Sequence, residues 1–275
     1  MVKLKSNGQI DKIRESCRLL VATLGELREI VQPGITTRDI DQAARKIIKS
    51  FGGRPAFLGY MGFPAAICTS VNEEVIHGIP NKKRLKNGDI VSIDCGIEYD
   101  GFFSDSALTV PVGRIRPEIE RLMRVTYESL ILGIEAAKFG NRMNDISRAI
   151  FEHNRAEGYG IVHEYCGHGV GFEIHEEPQV PNYVGRGPNP RLKSGMVLAI
   201  EPMINLGGDD VDVLDDDWTV VTSDRSISAH FEHTIAITRE GTEILTPWDS
   251  EDLPFQTEAK PEAGVNTDQN VTKTL

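Results

Sequence analysis

The sequence repeats part of its own pattern at an offset of 106 or 107 positions. The matched positions are Gly34 with Gly140, Asp39 with Asp145, Ile40 with Ile146, Lys86 with Lys193, Gly88 with Gly195, Ile93 with Ile200, and Asp94 with Glu201. The run DSAL at residues 105–108 then matches EHTI at residues 232–235, after about twenty additional residues in the second copy. A nearly constant offset predicts two similar halves related by a pseudo-twofold axis.

Each half has the signals of two helices and a hairpin. Apolar residues at helical spacing predict helices over about residues 10–31 and 36–52, with Pro33 and Gly34 between them. In the second half Pro117 opens a long helix, and another helix covers about residues 145–157. Residues 65–76 are strand-like and precede a turn at residues 77–80. We therefore expect an α+β fold with duplicated helix-helix-hairpin halves around a central antiparallel sheet.

The strands at residues 89–99 and 102–110 are joined by an Asp-Gly pair, which is a strong signal for a two-residue hairpin turn. The resulting register sets Asp94 opposite Ala107 and Asp105 opposite Gly96. Asp94 and Asp105 are then diagonal neighbours on one face, about 7–8 Å apart at Cα, so that they could share a cation. If this face is buried, two unpaired aspartates would destabilise the fold unless they bind a cation. If the face is exposed to solvent, the two aspartates would not indicate a site.

The stretch HEYCGHGVGFEIHEEP at residues 163–178 contains too many glycines for a helix interior. His168 lies between two glycines, which let the backbone approach a ligand closely, and His175 follows seven residues later. The alternative is a surface loop that happens to contain histidines.

Composition restricts the function classes. The net charge of -11 argues against broad contact with a phosphate backbone, so nucleic acid is not expected as a substrate. The N-terminus has no apolar signal region, and no run reaches the length of a membrane span. The four cysteines are scattered without a CxxC pair, which favours free thiols in the cytoplasm.

Two further segments carry expectations about organisation. Residues 205–226 are rich in aspartate; a calcium loop at residues 215–217 does not have EF-hand spacing, and a solvated hairpin tip is the preferred interpretation. Residues 1–249 are expected to form a single catalytic domain, and residues 250–275 a polar, flexible tail.

The duplication makes four acidic side chains converge, with one histidine as a nitrogen donor: Asp94, Asp105, Glu201, Glu232 and His168. Four carboxylates in one pocket would repel each other unless cations neutralise them, and two divalent metals are the simplest solution. A metal pair can lower the pKa of a water molecule and polarise a carbonyl group, which is the chemistry of amide hydrolysis. The oxygen-rich donors suit manganese, iron(II), cobalt or zinc. His77 and His175 would remain as proton donors or as hydrogen-bond donors to an oxyanion.

Six motifs occur in a specific order: HGIP at residues 77–80, DCGIEYDGFFSD at 94–105, EYCGHGVG at 164–171, HEEPQV from 175, AIEPM around 201 and FEHT around 232. In these motifs the chain resembles the type I methionine aminopeptidases, which are pita-bread (creatinase/aminopeptidase) metallopeptidases. The resemblance covers about residues 3–248. It implies the pita-bread fold, whose halves are related by a pseudo-twofold axis.

The resemblance also implies roles for individual residues. Asp94, Asp105, His168, Glu201 and Glu232 would bind two divalent metals, with Asp105 and Glu232 bridging, and Glu201 would help to move protons. His77 would contact the scissile amide or its leaving nitrogen, and His175 the carbonyl oxygen. The residues implied for the methionine pocket are Tyr60, Phe63, Cys68, Trp218 and Phe57.

The family removes the initiator methionine from nascent chains when the second residue is small. The resemblance therefore implies peptide N-termini as partners, a transient ribosome contact, a monomer, and a monovalent cation near Asn72 and Ser228. The sequence departs from the common family pattern at Phe57, Met61, Gly96 and Ile174, where cysteine, histidine, threonine and an aromatic residue are usual. These departures bear on pocket selectivity and on support of the second metal.

Two other readings remain open. A proline-specific peptidase, either a prolidase or an Xaa-Pro aminopeptidase, would use the same metal ligands on the same fold. A non-catalytic binding protein could keep the fold, although such proteins usually lose metal ligands, and all five are present here.

Overall fold

The computed structural model describes residues 2–248, 253 and 255 of the chain. Over these residues it contains four α-helices: α1 (Asn7–Ile30), α2 (Thr37–Ser50), α3 (Pro117–Ala136) and α4 (Met143–Ala156). A short 3-10 helix spans Tyr60–Gly62. The strands of the first half are β1 (Arg54–Pro55), β2 (Cys68–Val71), β3 (Glu74–Ile76), β4 (Ile90–Tyr99) and β5 (Phe102–Pro111).

The strands of the second half have two to five residues. They are β6 (Gly160–Ile161), β7 (Gly167–Gly169), β8 (Glu176–Val180), β9 (Val197–Ile200), β10 (Met203–Asn205), β11 (Val211–Val213), β12 (Val220–Thr222), β13 (Ser228–His230), β14 (His233–Ile237) and β15 (Thr242–Ile244). One sheet has the order β1-β4-β2 with β5 paired to β4, and another has the order β15-β14-β9-β7-β8. Two three-stranded sheets, β13-β10-β6 and β11-β12-β3, complete the strand pairing of the described residues.

The predicted duplication is confirmed in the order of the elements and in their local contacts. The second helix of each half has 14 residues, and α4 begins 106 positions after α2. In the first half the amide of Gly34 donates to the carbonyl oxygen of Leu85 at 2.7 Å, and in the second half Gly140 donates to Leu192 at 3.0 Å. The same turn therefore ties each helix pair to its own strands.

The predicted register of the first hairpin is also confirmed. Asp94 pairs with Ala107 and Gly96 pairs with Asp105 across β4 and β5. Asp100 and Gly101 have φ values of 51° and 80°, as a two-residue turn that matches the twist of the strands requires. Because the loop length fixes the pairing, both aspartates lie on the same face of the hairpin.

Helix α1 covers the other face of this hairpin. The apolar stripe that predicts this helix is buried, with Ile13, Leu20 and Leu27 fully enclosed. Full burial of such a side chain contributes about 1.5–3 kcal/mol to folding. The hydroxyl of Ser16 donates to the carbonyl oxygen of Ile97 at 3.0 Å, so the helix is also tied to β4 by a buried hydrogen bond.

The two halves meet where β5 runs beside β14. The backbone amide of Glu232 donates to the carbonyl oxygen of Ala107 at 2.8 Å. The hydroxyl of Thr234 donates to the carbonyl oxygen of Asp105 at 2.6 Å, and that of Ser106 to the carbonyl oxygen of Glu232 at 2.7 Å. The seam between the halves therefore consists of hydrogen bonds around two of the acidic residues.

The aspartate-rich segment at residues 205–226 is only partly the solvated hairpin tip that the sequence predicts. Strands β11 and β12 do form a hairpin, but β12 is buried and pairs with β3. At the tip, Asp216 accepts hydrogen bonds from the amides of Trp218 and Thr219 at 3.0 and 2.7 Å. This carboxylate closes a turn, and the calcium loop is not needed to explain it.

Most of the predicted tail, residues 250–275, lies outside the described residues. Phe255 is described, and its ring is buried beside the rings of Tyr127 and Phe231, with centroid distances of 5.9 and 6.1 Å. Among the described residues, no helix is long and apolar enough to cross a membrane.

Two glycine substitutions should change stability in opposite directions. Gly101→Ala places a side chain at φ +80°, so the free energy of unfolding should fall by about 1–2 kcal/mol. Gly25→Ala, inside α1 with nothing within 4 Å of the added carbon, should raise it by about 1 kcal/mol. Urea unfolding of the two variants and the unaltered protein measures both changes. Equal stability of Gly101→Ala and the unaltered protein would contradict the assigned turn.

Candidate active site

The structure brings together the five side chains that the sequence singled out as metal ligands. Asp94 and Asp105 come from the β4–β5 hairpin, and His168 lies in β7. Glu201 directly follows β9, and Glu232 directly precedes β14. Since β7 and β14 both pair with β9, the second sheet places its three side chains at the same end of adjacent strands.

These side chains form two overlapping groups of potential ligand atoms. One oxygen each from Asp94, Asp105 and Glu232 lie within 4.8 Å of one another. One atom each from His168, Glu201 and Glu232 satisfy the same limit, so Glu232 belongs to both groups. A third group within this limit joins Asp105 and His168 to His175. The overlap is the arrangement that two neighbouring cations with shared carboxylates require.

The carboxylates are buried and repel each other. Burial raises the pKa of Asp94 to about 7 and that of Glu201 to about 8. Burial, followed by the negative charge of neighbouring carboxylates, raises the pKa of Asp105 and Glu232 well above the ordinary range. Four ionised groups are therefore unfavourable here without positive charge.

Three oxygen atoms of the cluster have no hydrogen-bond partner although they are buried: Asp94 Oδ1, Asp105 Oδ1 and Glu232 Oε1. Buried polar atoms are normally paired, because each unpaired one costs about 1–3 kcal/mol. Divalent cations accept such oxygens as ligands and neutralise their charge. The residues present therefore fit a site for divalent metal ions.

The ring of His168 is oriented for ligation. Its Nδ1 lies 3.0 Å from the carbonyl oxygen of Gly169, a contact that uses the N–H of this nitrogen. The lone pair is then on Nε2, which lies 3.5 Å from Glu201 Oε1 and 3.7 Å from Asp105 Oδ2. Burial lowers the pKa of His168 to about 3, so the ring is neutral at neutral pH. A neutral imidazole with a fixed tautomer is the form that binds metals.

A cavity of about 380 Å³ lies against the carboxylate cluster. All five residues predicted for a substrate pocket line it: Phe57, Tyr60, Phe63, Cys68 and Trp218. Phe63 and Trp218 pack edge to face with ring centroids 5.0 Å apart. The cavity is therefore apolar on one side and acidic on the other, as is usual for a site that holds an apolar group next to reacting atoms.

His77 and His175 also line this cavity. His77 has φ 58°, an uncommon value for a residue other than glycine, and such strained positions often occur at functional sites. Burial lowers the pKa of His77 to about 4, so it is a neutral hydrogen-bond donor at neutral pH. The ring of His175 lies 4.3 Å from that of His168 and 5.1 Å from that of Tyr60. Both histidines therefore face the space next to the carboxylates.

Sequence reasoning missed several residues of the site. His230 is buried, and its Nε2 lies 3.4 Å from Glu201 Oε2. The one signal for it is its position two residues before Glu232. Tyr165 and Cys166 line the cavity beside the glycine-flanked histidine, and Gln179 lines it from β8. Their motif was recognised for His168, but their own side chains were not assigned.

Three of the four departures from the family pattern contact each other. A Cβ added to Gly96 would lie 2.9 Å from Phe57 Cε1 and 2.9 Å from Ile174 Cδ1. Both of these side chains are buried in the apolar cluster below the cavity. The absence of a side chain at Gly96 therefore leaves the space that the ring of Phe57 occupies. Met61, the fourth departure, is 81% exposed at the mouth of the cavity.

The contact between Gly96 and Phe57 predicts a compensating pair of substitutions. Gly96→Ala should lower the free energy of unfolding by about 1–3 kcal/mol, because the added methyl group overpacks the cluster. Phe57→Cys introduced into the same chain should recover part of that loss. Urea unfolding of the unaltered protein, both single variants and the double variant measures the coupling. Simple additivity of the two changes would show that the residues do not compete for space.

Comparisons with known proteins agree with this geometry. A family model described as metallopeptidase family M24 matches residues 11–239. The methionine aminopeptidase of Clostridium perfringens is 50% identical over 246 residues, which cover 90% of this chain and 99% of that protein. Methionine aminopeptidase 1 of Bacillus subtilis is 49% identical over 246 residues, with the same coverage of 90% and 99%.

Solved structures share the fold. The crystal structure of methionine aminopeptidase from Rickettsia prowazekii has a TM-score of 0.88 and 41% identity, and covers 90% of this chain and 100% of that chain. Prolidase from Pyrococcus furiosus has a TM-score of 0.74 and 26% identity, and the match covers 90% of this chain but 66% of that chain. The predicted pita-bread α+β fold is thus confirmed. On these matches and on the buried carboxylate cluster, the chain belongs to metallopeptidase family M24.

Proposed function

We propose that this chain is a methionine aminopeptidase, which hydrolyses the first peptide bond of chains that begin with methionine. Relatives that carry this name are about half identical to it along nearly their whole length. The observation that carries the proposal is the cavity in which an apolar wall faces the acidic cluster. One side chain of the substrate can be held there while its own carbonyl group lies beside the carboxylates.

Asp94, Asp105, His168, Glu201 and Glu232 would hold two divalent metal ions, with Asp105 and Glu232 shared between them. Two ligand groups that have Glu232 in common, a third that joins Asp105 to His168, and the unpartnered buried oxygens support a metal site at these residues. The donors suit manganese, iron(II), cobalt or zinc. When bound, the ions would polarise the scissile carbonyl and increase the acidity of a water molecule.

The remaining polar side chains of the cavity would act on the substrate directly. His175, at the mouth, would donate a hydrogen bond to the carbonyl oxygen as it gains negative charge. His77 would contact the scissile amide or its leaving nitrogen as a neutral donor. Glu201 would move a proton from water toward the leaving nitrogen of the amide. Its two oxygens lie 3.5 and 3.4 Å from the Nε2 atoms of His168 and His230.

The apolar wall suits the methionine side chain. A thioether is flexible and polarisable, and it makes favourable contacts with aromatic ring edges such as those of Phe63 and Trp218. Tyr60, Phe57 and Cys68 complete the wall, and Cys68 is buried. A small second residue would be preferred, as the resemblance to type I methionine aminopeptidases implies.

Several finer features form part of the same proposal. The carbonyl oxygen of Asn72 already accepts the amide of Ser228 at 2.8 Å, and a monovalent cation would bind near this pair. The protein would act as a monomer in the cytoplasm, on nascent chains during a transient contact with the ribosome. Residues 1–249 would form its single catalytic domain.

A peptide panel tests the function against a proline-specific alternative. Metal-loaded protein should cleave Met-Ala peptides at least about tenfold more efficiently than Met-Lys peptides, and Ala-Pro and Gly-Pro peptides not measurably. Chromatography of the products after titration with manganese, iron(II), cobalt or zinc measures each rate. Turnover confined to the proline peptides would make this chain a prolidase or Xaa-Pro aminopeptidase. Bound metal without any turnover would indicate a binding protein on the same fold.

Asp105 and His175 should respond differently to substitution. Asp105→Asn removes a charge from the shared position, so the protein should bind less metal, while the metal-free form should resist urea better because repulsion falls. His175→Ala should keep the metal content and lower kcat about a hundred- to a thousandfold, as loss of an oxyanion donor does. Elemental analysis and urea unfolding give readouts that are independent of turnover. Loss of metal from His175→Ala would instead make His175 a ligand.

A further inference from the structure

A buried ion pair connects the N-terminal segment to the segment that carries His175. Lys5 Nζ lies 2.8 Å from Glu176 Oε2, and each side chain is only 1% exposed. The ammonium group also lies 5.2 Å from the ring centroid of Phe172. Glu176 directly follows His175, so this contact fixes the backbone at a neighbour of a proposed catalytic residue.

The carboxylate of Glu176 also closes the turn that precedes it. Its second oxygen, Oε1, accepts the backbone amides of Phe172 and Glu173 at 2.6 and 3.0 Å. One oxygen thus accepts two hydrogen bonds within the turn, and the other forms the ion pair with Lys5. Within this turn, the side chain of Ile174 packs in the apolar cluster that contains Phe57 and Phe63, and His175 lines the cavity.

The N-terminal segment has little freedom to move away from this turn. The amide of Lys5 donates to the carbonyl oxygen of Gly195 at 2.7 Å. At Gly171, with φ +133°, an added Cβ would lie 2.6 Å from Ile13 Cδ1 and 3.0 Å from Lys5 Cε. The stem of Lys5 is therefore packed between α1 and the turn, and its ammonium group has a fixed position.

Stability alone does not account for this pair. Burial lowers the pKa of Lys5 despite the opposing effect of the adjacent carboxylate, which means that removal from water outweighs the attraction. Buried ion pairs are often no more stabilising than apolar residues of the same size, but they hold one defined geometry. The neighbouring pair Lys3–Glu173 spans 2.7 Å with side chains 45% and 65% exposed, and exposed pairs contribute little.

We propose that Lys5 and Glu176 form a positioning pair that holds the turn at residues 171–176 so that the ring of His175 faces the reacting carbonyl. Neither residue touches the substrate. The role of His175 in this inference rests on the proposed function. The claim that the ion pair holds the turn does not depend on that function. It extends the site to Lys5, which lies outside residues 11–239 that the family model matches.

A double-mutant cycle tests the pair. Lys5→Met keeps the length of the side chain and removes its charge, and we expect kcat to fall about ten- to a hundredfold with little change in KM. In a His175→Ala background, Lys5→Met should change kcat by less than about twofold, because the group that it positions is gone. Lys3→Met, which breaks the exposed pair on the same turn, is the matched control and should leave kcat unchanged. If Lys5→Met does not fold, Glu176→Gln replaces it, since its amide oxygen can still accept the two backbone amides.

Hydrogen exchange gives a readout that does not depend on activity. Amides of Phe172 and Glu173 should exchange faster in Lys5→Met than in Lys3→Met, while α1 remains protected in both. Equal exchange in the two variants overturns the proposal. So does an equal loss of kcat from Lys5→Met with and without His175, because a structural defect would act in both backgrounds. Failure of the unaltered protein to cleave methionyl peptides would refute the proposed function, and the exchange comparison would still decide whether the pair holds the turn.

Discussion

The mutual repulsion of four buried carboxylates is the constraint on which the rest of this structure depends. Isolated aspartates and glutamates avoid such burial, since each would have to be protonated or paired. Here the backbone that carries them is held by strand pairing and by the hydroxyl groups of Ser106 and Thr234, which bridge β5 and β14. The energy for this arrangement comes from the apolar packing of the helices on the outer faces of the sheets. The fold therefore brings the four carboxylates close together, and bound positive charge would then stabilise them.

The pseudo-twofold relation explains why this proximity can be specific. Each half contributes two carboxylates from equivalent positions: Asp94 and Asp105 from the first half, and Glu201 and Glu232 from the second. The packing of the two halves therefore brings both pairs together at the seam. The insertion in the second half breaks this symmetry. Its strand β12 pairs with β3, and Trp218 is thereby brought to 6.2 Å from His77, measured between ring centroids. The acidic cluster thus follows from the repeated part of the chain, whereas the insertion adds Trp218 to an apolar wall whose other residues come from the first half.

The sequence predicts features that depend on local rules. The Asp-Gly turn specifies the β4–β5 register, because a two-residue loop permits one pairing. The constant offset then identifies Glu201, and the similarity of DSAL to EHTI beyond the insertion identifies Glu232. Features that depend on packing between distant segments leave no such pattern. His230 lies beside Glu201 because β10 pairs with β13, and this pairing is not evident from the sequence. The proximity of Gly96 to the ring of Phe57 likewise depends on the tertiary packing. Burial of β12 was missed for the same reason: its partner β3 lies more than a hundred residues earlier.

The strands that carry the proposed metal ligands and the segment of His175 differ in how their positions are fixed. Asp94, Asp105 and His168 lie within strands whose ladders leave their backbones little freedom. His175 lies between β7 and β8, outside the strand pairing of the described residues. The role proposed for it is that of an oxyanion donor, and such a donor is effective only when its distance from the reacting oxygen is defined to a fraction of an ångström. A residue in such a segment needs a separate tether. The buried carboxylate of Glu176, held by two amides and by Lys5, is placed where that tether is required.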